Sequence, residues 1–108
     1  MAAERLSAQD ATLLYAQDPQ APLIIGAVCR FERAPLADAD GRLRIDDLRR
    51  HLTSRLHLVP RFRQRLALVP GDSGRPRWVD DTDFDILNHA HGAQLPAPGG
   101  ERELHAFV

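Results

Sequence analysis

Leu58-Val59-Pro60-Arg61-Phe62-Arg63-Gln64-Arg65-Leu66-Ala67-Leu68-Val69, followed by Pro70-Gly71-Asp72-Ser73-Gly74 and then Arg75-Pro76-Arg77-Trp78-Val79-Asp80-Asp81, is where the sequence commits to β structure. From Pro60 the residues alternate between arginine and a less polar neighbour, and the apolar run 66–69 leads into a cluster of turn formers. This pattern predicts a strand or a strand pair. If the segment is extended, Arg61, Arg63 and Arg65 share one face, because successive side chains on a strand point to opposite sides. Trp78-Val79, and then Phe84, Ile86 and His89 beyond the acidic Asp80-Asp81-Thr82-Asp83, suggest further extended segments.

Working outward from there, Leu48, Leu52, Leu56 and Val59 recur at spacings of four and three and form one apolar stripe, with Arg49, Arg50 and Arg55 on the wet side. A helix is expected over residues 46–57, capped by Asp46 or Asp47 and stopped by Pro60. Residues 34–41, with Pro35, two aspartates and Gly41, read as a surface loop. Residues 23–32 are rich in β-branched and apolar side chains and predict a strand, buried on both faces through Val28. Arg30 and Glu32, opposite in parity to Phe31, give it one half-solvated end.

Nearer the start, Ser7 and Asp10 resemble a capping box with the shorter acid, opening a short helix through Leu13, Leu14 and Tyr15. Asp18-Pro19 and Ala21-Pro22 end it, since proline disfavours helical geometry in the residue before it. At the other end, residues 95–100 are a linker, and residues 101–108 begin an amphipathic helix with Leu104, Phe107 and Val108 on its apolar side. No internal repeat is present. The elements define an α/β (α+β) class, and the chain is expected to stop inside that last stripe as a truncated unit. Open strand edges and wet apolar stripes should then make it aggregate or bind hydrophobic dyes.

Composition excludes several classes. Hydrophobic residues make up 44% and charged residues 27% of 108, a globular balance. The formal charge of -1 gives no global field toward nucleic acid or an anionic membrane, and no nucleic-acid partner is expected. All the basic residues are arginine, whose planar fork suits phosphate or carboxylate, although biased codon usage is the favoured explanation. Cys29 is the only cysteine, so no intrachain disulfide or thiolate cluster can form. It is expected to be a buried structural thiol. The start of the chain is no secretory signal, and no run of about 20 apolar residues occurs. A cytoplasmic setting is expected, with attachment to a surface left open.

Five histidines invite catalytic or metal roles. His89 and His91 would face one side of a strand, with Asp83 or Asp85 as a third ligand, but the pair is a weak signal beside solvated surface residues, and no metal site is expected. His51, His57 and His105 lack even that partner. A triad sketched from Ser54 or Ser73 lacks the sharp G-x-S-x-G turn, and Ser73 suits turn chemistry. No G-x-G-x-x-G or Walker loop occurs. The strongest charge feature is Arg49, Arg50, Arg55, Arg61, Arg63 and Arg65. It could grip phosphates, those of coenzyme A or RNA, or pair with Asp80, Asp81, Asp83 and Asp85 inside the fold.

The order of segments resembles the N-terminal part of the wax ester synthase/diacylglycerol acyltransferase family. It runs from Arg5-Leu6-Ser7-Ala8-Gln9-Asp10-Ala11 through Ile25-Gly26-Ala27-Val28 to the two most specific pieces, Leu58-Val59-Pro60-Arg61-Phe62-Arg63-Gln64-Arg65 and Trp78-Val79-Asp80-Asp81 with Phe84-Asp85. The resemblance covers nearly the whole chain. It implies a coenzyme A-dependent acyltransferase of chloramphenicol-acetyltransferase-like fold, of which residues 1–108 would be the incomplete N-terminal half. Such an enzyme has two α/β halves around a channel. It transfers a fatty acyl group from acyl-coenzyme A, a co-substrate and not a bound cofactor, to diacylglycerol or a long-chain alcohol in triacylglycerol or wax ester synthesis. Peripheral contact with the inner membrane or lipid inclusions is implied too.

The family's H-H-x-x-x-D-G histidine is the general base on the acceptor hydroxyl, which is a poor nucleophile until its proton is taken. That motif is absent. His89-Ala90-His91-Gly92 lacks the aspartate, and the family places the motif after the helix that starts near Glu101. No catalytic residue is therefore assigned, and the expectation is a segment inactive by itself. Arg61, Arg63 and Arg65 are the candidates for binding coenzyme A. Two other readings stand beside this one: a condensation-type or carnitine-type acyltransferase, against which the two specific runs weigh, and a non-catalytic binding module using the arginine patch.

Overall fold

The computed structural model describes residues 3–68, 70–71 and 74–108, which form two compact units. The expectations for the start of the chain at Met1, for Val69 at the end of the apolar run and for Asp72 and Ser73 in the turn lie outside the described residues.

The first unit comprises residues up to 32 together with 54–84. Its centre is a three-stranded antiparallel sheet in the order β1-β3-β2, where β1 is Glu4–Arg5, β2 is Gln64–Ala67 and β3 is Arg77–Asp80. β2 falls in the stretch where a strand or strand pair is expected and β3 in the extended segment expected at Trp78-Val79, and the two pair in the register Gln64 to Asp80, Arg65 to Val79, Leu66 to Trp78 and Ala67 to Arg77. Glu4 and Arg5 pair with Trp78 and Arg77 on the other side of β3, and Leu6 N donates to Pro76 O at 2.8 Å. Leu6 then turns inward and is buried, as are Ala11 and Pro76. Helix α1, Ala8–Tyr15, starts where the sequence places it: Ser7 Oγ accepts from Asp10 N at 3.0 Å. Its end is fixed by Asp18, whose carboxylate accepts from Gln20 N at 2.8 Å in a tight turn ahead of the second proline.

Three of the expected extended segments differ in the structure. Residues 60–63 are not extended, so Arg61, Arg63 and Arg65 do not line one face of a strand. Pro60 has its backbone torsion preset for a helical turn, Phe62 N donates to Val59 O at 3.0 Å, and Pro60–Arg63 forms a 3-10 turn before β2 begins at Gln64. Nor do Phe84, Ile86 and His89 continue as strands. The Asp85 carboxylate accepts from Leu87 N at 2.9 Å and caps another 3-10 turn, Ile86–Asn88. Residues 23–32, finally, join no strand ladder among the described residues, and the burial expected of them is absent: Ile25 is 101% and Ile24 79% exposed, and Cys29 is exposed rather than buried. Apolar propensity marks a segment fit to be a strand; it does not supply the neighbour whose backbone completes the ladder.

The second unit comprises residues 33–53 and 85–108. Ala34–Leu36 is a 3-10 turn, and the expected loop beyond it closes tightly. The Asp38 carboxylate accepts from Asp40 N and Arg42 N, each at 2.9 Å, and Gly41, at φ 77°, exposes its carbonyl to Arg33 Nη2 at 2.6 Å. Helix α2, Ile45–Arg55, is followed by a 3-10 turn, Leu56–Leu58, close to the expected span. Asp46 and Asp47 lie inside its first turn rather than capping it. There they pair with Arg49 at 3.0 Å and with Arg44 and Arg50, and carboxylates also suit the positive end of the helix dipole. Arg49 Nε donates to Ala90 O at 3.0 Å, tying α2 to the turn at 86–88. Helix α3, Glu101–Phe107, starts as Glu103 Oε2 accepts from Gly100 N at 2.8 Å. The described elements make an α+β arrangement of short helices with one small antiparallel sheet. No described helix is long and apolar enough to cross a membrane.

Candidate functional site

The sheet register brings the two most distinctive runs of the sequence together. Because Gln64 faces Asp80 and Glu4 faces Trp78, the 3-10 turn at Pro60–Arg63 delivers Arg61 to the end of the sheet where all three strands meet. Its guanidinium lies 4.5 Å above the centroid of the Trp78 ring. Arg61 Nη2 donates to Glu4 Oε2 at 2.8 Å, Arg61 Nη1 to Gln64 Oε1 at 3.0 Å, and Gln64 Nε2 to Asp80 Oδ1 at 3.1 Å. One line of polar contacts therefore crosses β1, β2 and β3. The next pair is looser: Arg65 Nε stands 3.9 Å from Asp81 Oδ1, while Asp81 N donates to Arg63 O at 2.8 Å.

Magnitudes decide what this cluster does. The Glu4–Arg61 pair is substantially exposed, and such pairs contribute from 0 to about 1 kcal/mol. A guanidinium over the half-buried Trp78 ring adds roughly 0.5–1 kcal/mol. Together they fix the register of a very short β1 more than they hold the fold. Of the three arginines named from the sequence, Arg61 and Arg65 thus face carboxylates, and Arg63 is exposed and forms no ion pair among the described residues. Arg49 and Arg50 on α2 are likewise paired. Glu4 and Gln64 were missed by sequence reasoning. A two-residue strand has too little alternation to be seen, and only the register with Trp78 reveals Glu4 as a partner.

The other candidates do not converge. His89 follows the turn at 86–88 instead of lying on a strand, and His91 Nε2 is 3.1 Å from Asn88 O. Among the described residues, no group of three His, Cys, Asp or Glu side chains is placed to hold a metal ion. Ser54 is on α2, and Ser73 is outside the described residues. The arrangement around Arg61 is a structural joint with an arginine-rich exterior.

The chain that carries these two runs is a member of the wax ester synthase/diacylglycerol acyltransferase family, whose catalytic-domain model matches residues 6–108. Among particular relatives, it is 35% identical over 104 residues to the probable diacylglycerol O-acyltransferase tgs3 of Mycobacterium tuberculosis, covering 96% of this chain and 36% of that protein. It is 39% identical over 105 residues to the probable diacylglycerol O-acyltransferase tgs1 of the same organism and to a putative diacylglycerol O-acyltransferase of Mycobacterium bovis, covering 95% of this chain and 21% of each of them. The chain thus spans 36% or less of the length of these curated relatives. No solved structure matches it significantly.

Proposed function

We propose that these residues are the N-terminal scaffold of an O-acyltransferase that moves a fatty acyl group from acyl-coenzyme A to diacylglycerol or a long-chain alcohol, and that they are inactive by themselves. The family match across residues 6–108 carries this reading, and the names of the relatives support its substrate class. The chemistry needs a base. As the acceptor oxygen attacks the thioester carbonyl, its proton must pass to a side chain near neutral pKa and on to the departing thiolate. In this family that base is the H-H-x-x-x-D-G histidine, and the sequence has no such motif. The residues here serve the reaction by building one wall of a chloramphenicol-acetyltransferase-like fold, in a cytoplasmic enzyme that touches lipid surfaces peripherally.

Coenzyme A binding by the arginine cluster belongs to the same reading, with roles divided by the geometry. Arg61 and Arg65 are held by Glu4 and Asp81, so Arg63 is the guanidinium best disposed to meet a phosphate. A stand-alone module gripping polyanions through this patch is less well supported, because Arg49, Arg50, Arg61 and Arg65 already face carboxylates.

Labelled acyl-coenzyme A and diacylglycerol should be supplied to two proteins, the 108-residue chain and a longer protein in which it is followed by the remaining length of a relative. The expected result is no labelled triacylglycerol from the first and a time-dependent signal from the second. Arg63→Glu in the longer protein should then raise KM for acyl-coenzyme A while leaving that for diacylglycerol unchanged. Product formed by the 108 residues alone, or none by an intact longer protein with either acceptor class, would overturn the proposal.

A further inference from the structure

Residues 48–71 hold six arginines and no carboxylate, a local positive run in a chain whose formal charge is only -1. Its middle is two 3-10 turns wound one on the next: Val59 N donates to Leu56 O and Phe62 N to Val59 O, each at 3.0 Å. The turns carry Leu58 and Phe62 outward, 63% and 69% exposed, with Val59 exposed between them. Arg55 at their start and Arg63 at their end are exposed and form no ion pair among the described residues. Glu4 and Asp81, the carboxylates that fold against this run, are taken by Arg61 and Arg65. Exposed apolar side chains elsewhere keep acidic company: Leu13 and Tyr15 lie between Asp10 and Asp18, residues 23–31 run into Glu32, and Phe107 shares α3 with Glu101 and Glu103. From Arg55 to Arg63, apolar tips and unpaired guanidinium groups coincide.

We infer that the turns Leu56–Leu58 and Pro60–Arg63 are the surface by which the protein rests on an anionic lipid bilayer. Peripheral lipid contact belongs to the acyltransferase reading above, on which this assignment rests; the turns give that contact a place and a headgroup charge. Leu58, Val59 and Phe62 enter the outer ~5–10 Å of the bilayer, at the boundary of headgroups and acyl chains. Arg55 and Arg63 meet lipid phosphates from the two flanks, and each guanidinium beside an anionic surface raises partitioning roughly fivefold. A free phosphate offers the same charge but gives three wet apolar side chains nothing to bury against, whereas a bilayer satisfies both. The contact is interfacial, since no described helix is long and apolar enough to cross a membrane.

Flotation of the 108-residue chain with vesicles separates bound chain from any sedimenting aggregate. The chain should float with vesicles of phosphatidylglycerol and phosphatidylcholine in equal parts, and far less with phosphatidylcholine alone. Arg55→Gln with Phe62→Ser should lower partitioning roughly thirtyfold or more at an unchanged melt, because both side chains are exposed. Phe62→Trp should keep it, since the indole ring favours the bilayer interface. Ile25→Ser, on the other exposed apolar segment, should leave flotation unchanged. Equal binding to both vesicle types, no binding to either, loss with Phe62→Trp, or a loss caused by Ile25→Ser and not by the turn variant would overturn the inference. So would release by inorganic phosphate at an ionic strength where chloride releases nothing, which assigns the guanidinium groups to a soluble anion. Each of these outcomes leaves the acyltransferase reading intact, because that reading falls only if an intact longer protein makes no ester.

Discussion

The hairpin Gln64–Ala67 with Arg77–Asp80 and the segment 23–32 are both written in strand-forming residues, yet only the first becomes a sheet. If apolar content decided the outcome, it would be the other way round, since residues 23–32 hold the greater share of Ile, Leu, Val and Phe and the hairpin carries Gln64, Arg65 and Arg77. What differs is the distance to a partner. A glycine-containing connection returns β3 along β2, so the entropy of closing the ladder is small, and Leu6 and Pro76 bury themselves where β1 joins. Residues 23–32 have no such neighbour among the described residues. Strand propensity proposes a strand, and topology grants it.

The comparison can be broken most severely at Trp78, which faces both Glu4 and Leu66 across the sheet and lies beneath Arg61. Trp78→Ala should cost about 2 kcal/mol in denaturant unfolding of the 108-residue chain, less than full burial would give because the ring is half-buried. Gly41→Ala comes next, at about 1 kcal/mol. It tests whether a short turn closes the Asp38 loop as the hairpin turn closes the sheet. At φ 77° a β-carbon is strained, and it would stand 2.8 Å from Arg33 Nη2. Arg61→Gln should cost roughly 0.5–1 kcal/mol, with the loss shrinking at high salt as the Glu4 pair is screened, which unfolding at two ionic strengths can read. The smallest effect is expected at Ile25→Ser, within about 0.5 kcal/mol in this chain, because the side chain touches little.

Much of the local structure was legible in the sequence, for reasons that particular residues make plain. Ser7 announced α1 through its hydroxyl, the leucine spacing announced α2, and the patterns at 64–67 and Trp78-Val79 announced extended segments there, though not their pairing. The arginine cluster was legible as a set but not as a geometry. Pro60 converts what alternation presents as a strand into a helical turn, and this sends Arg61 over Trp78 instead of beside Arg63 and Arg65. Asp85 similarly replaces an expected extended segment with a capped turn, and Cys29 is exposed because its neighbours have no cover. In the first two cases a local turn former, Pro60 or Asp85, overrides the pattern that suggests a strand, and only at Cys29 does the difference lie in a missing cover. Family membership was readable from the two specific runs.

Amide hydrogen exchange on the 108-residue chain, resolved by residue, tests the contrast most directly. The ladder amides of Gln64–Ala67 and Arg77–Asp80 are expected to exchange slowly and together, and those of residues 24–31 at nearly the free-peptide rate. Slow exchange throughout residues 24–31 at high dilution would mean that the segment already has its partner within this chain, and would contradict the central claim.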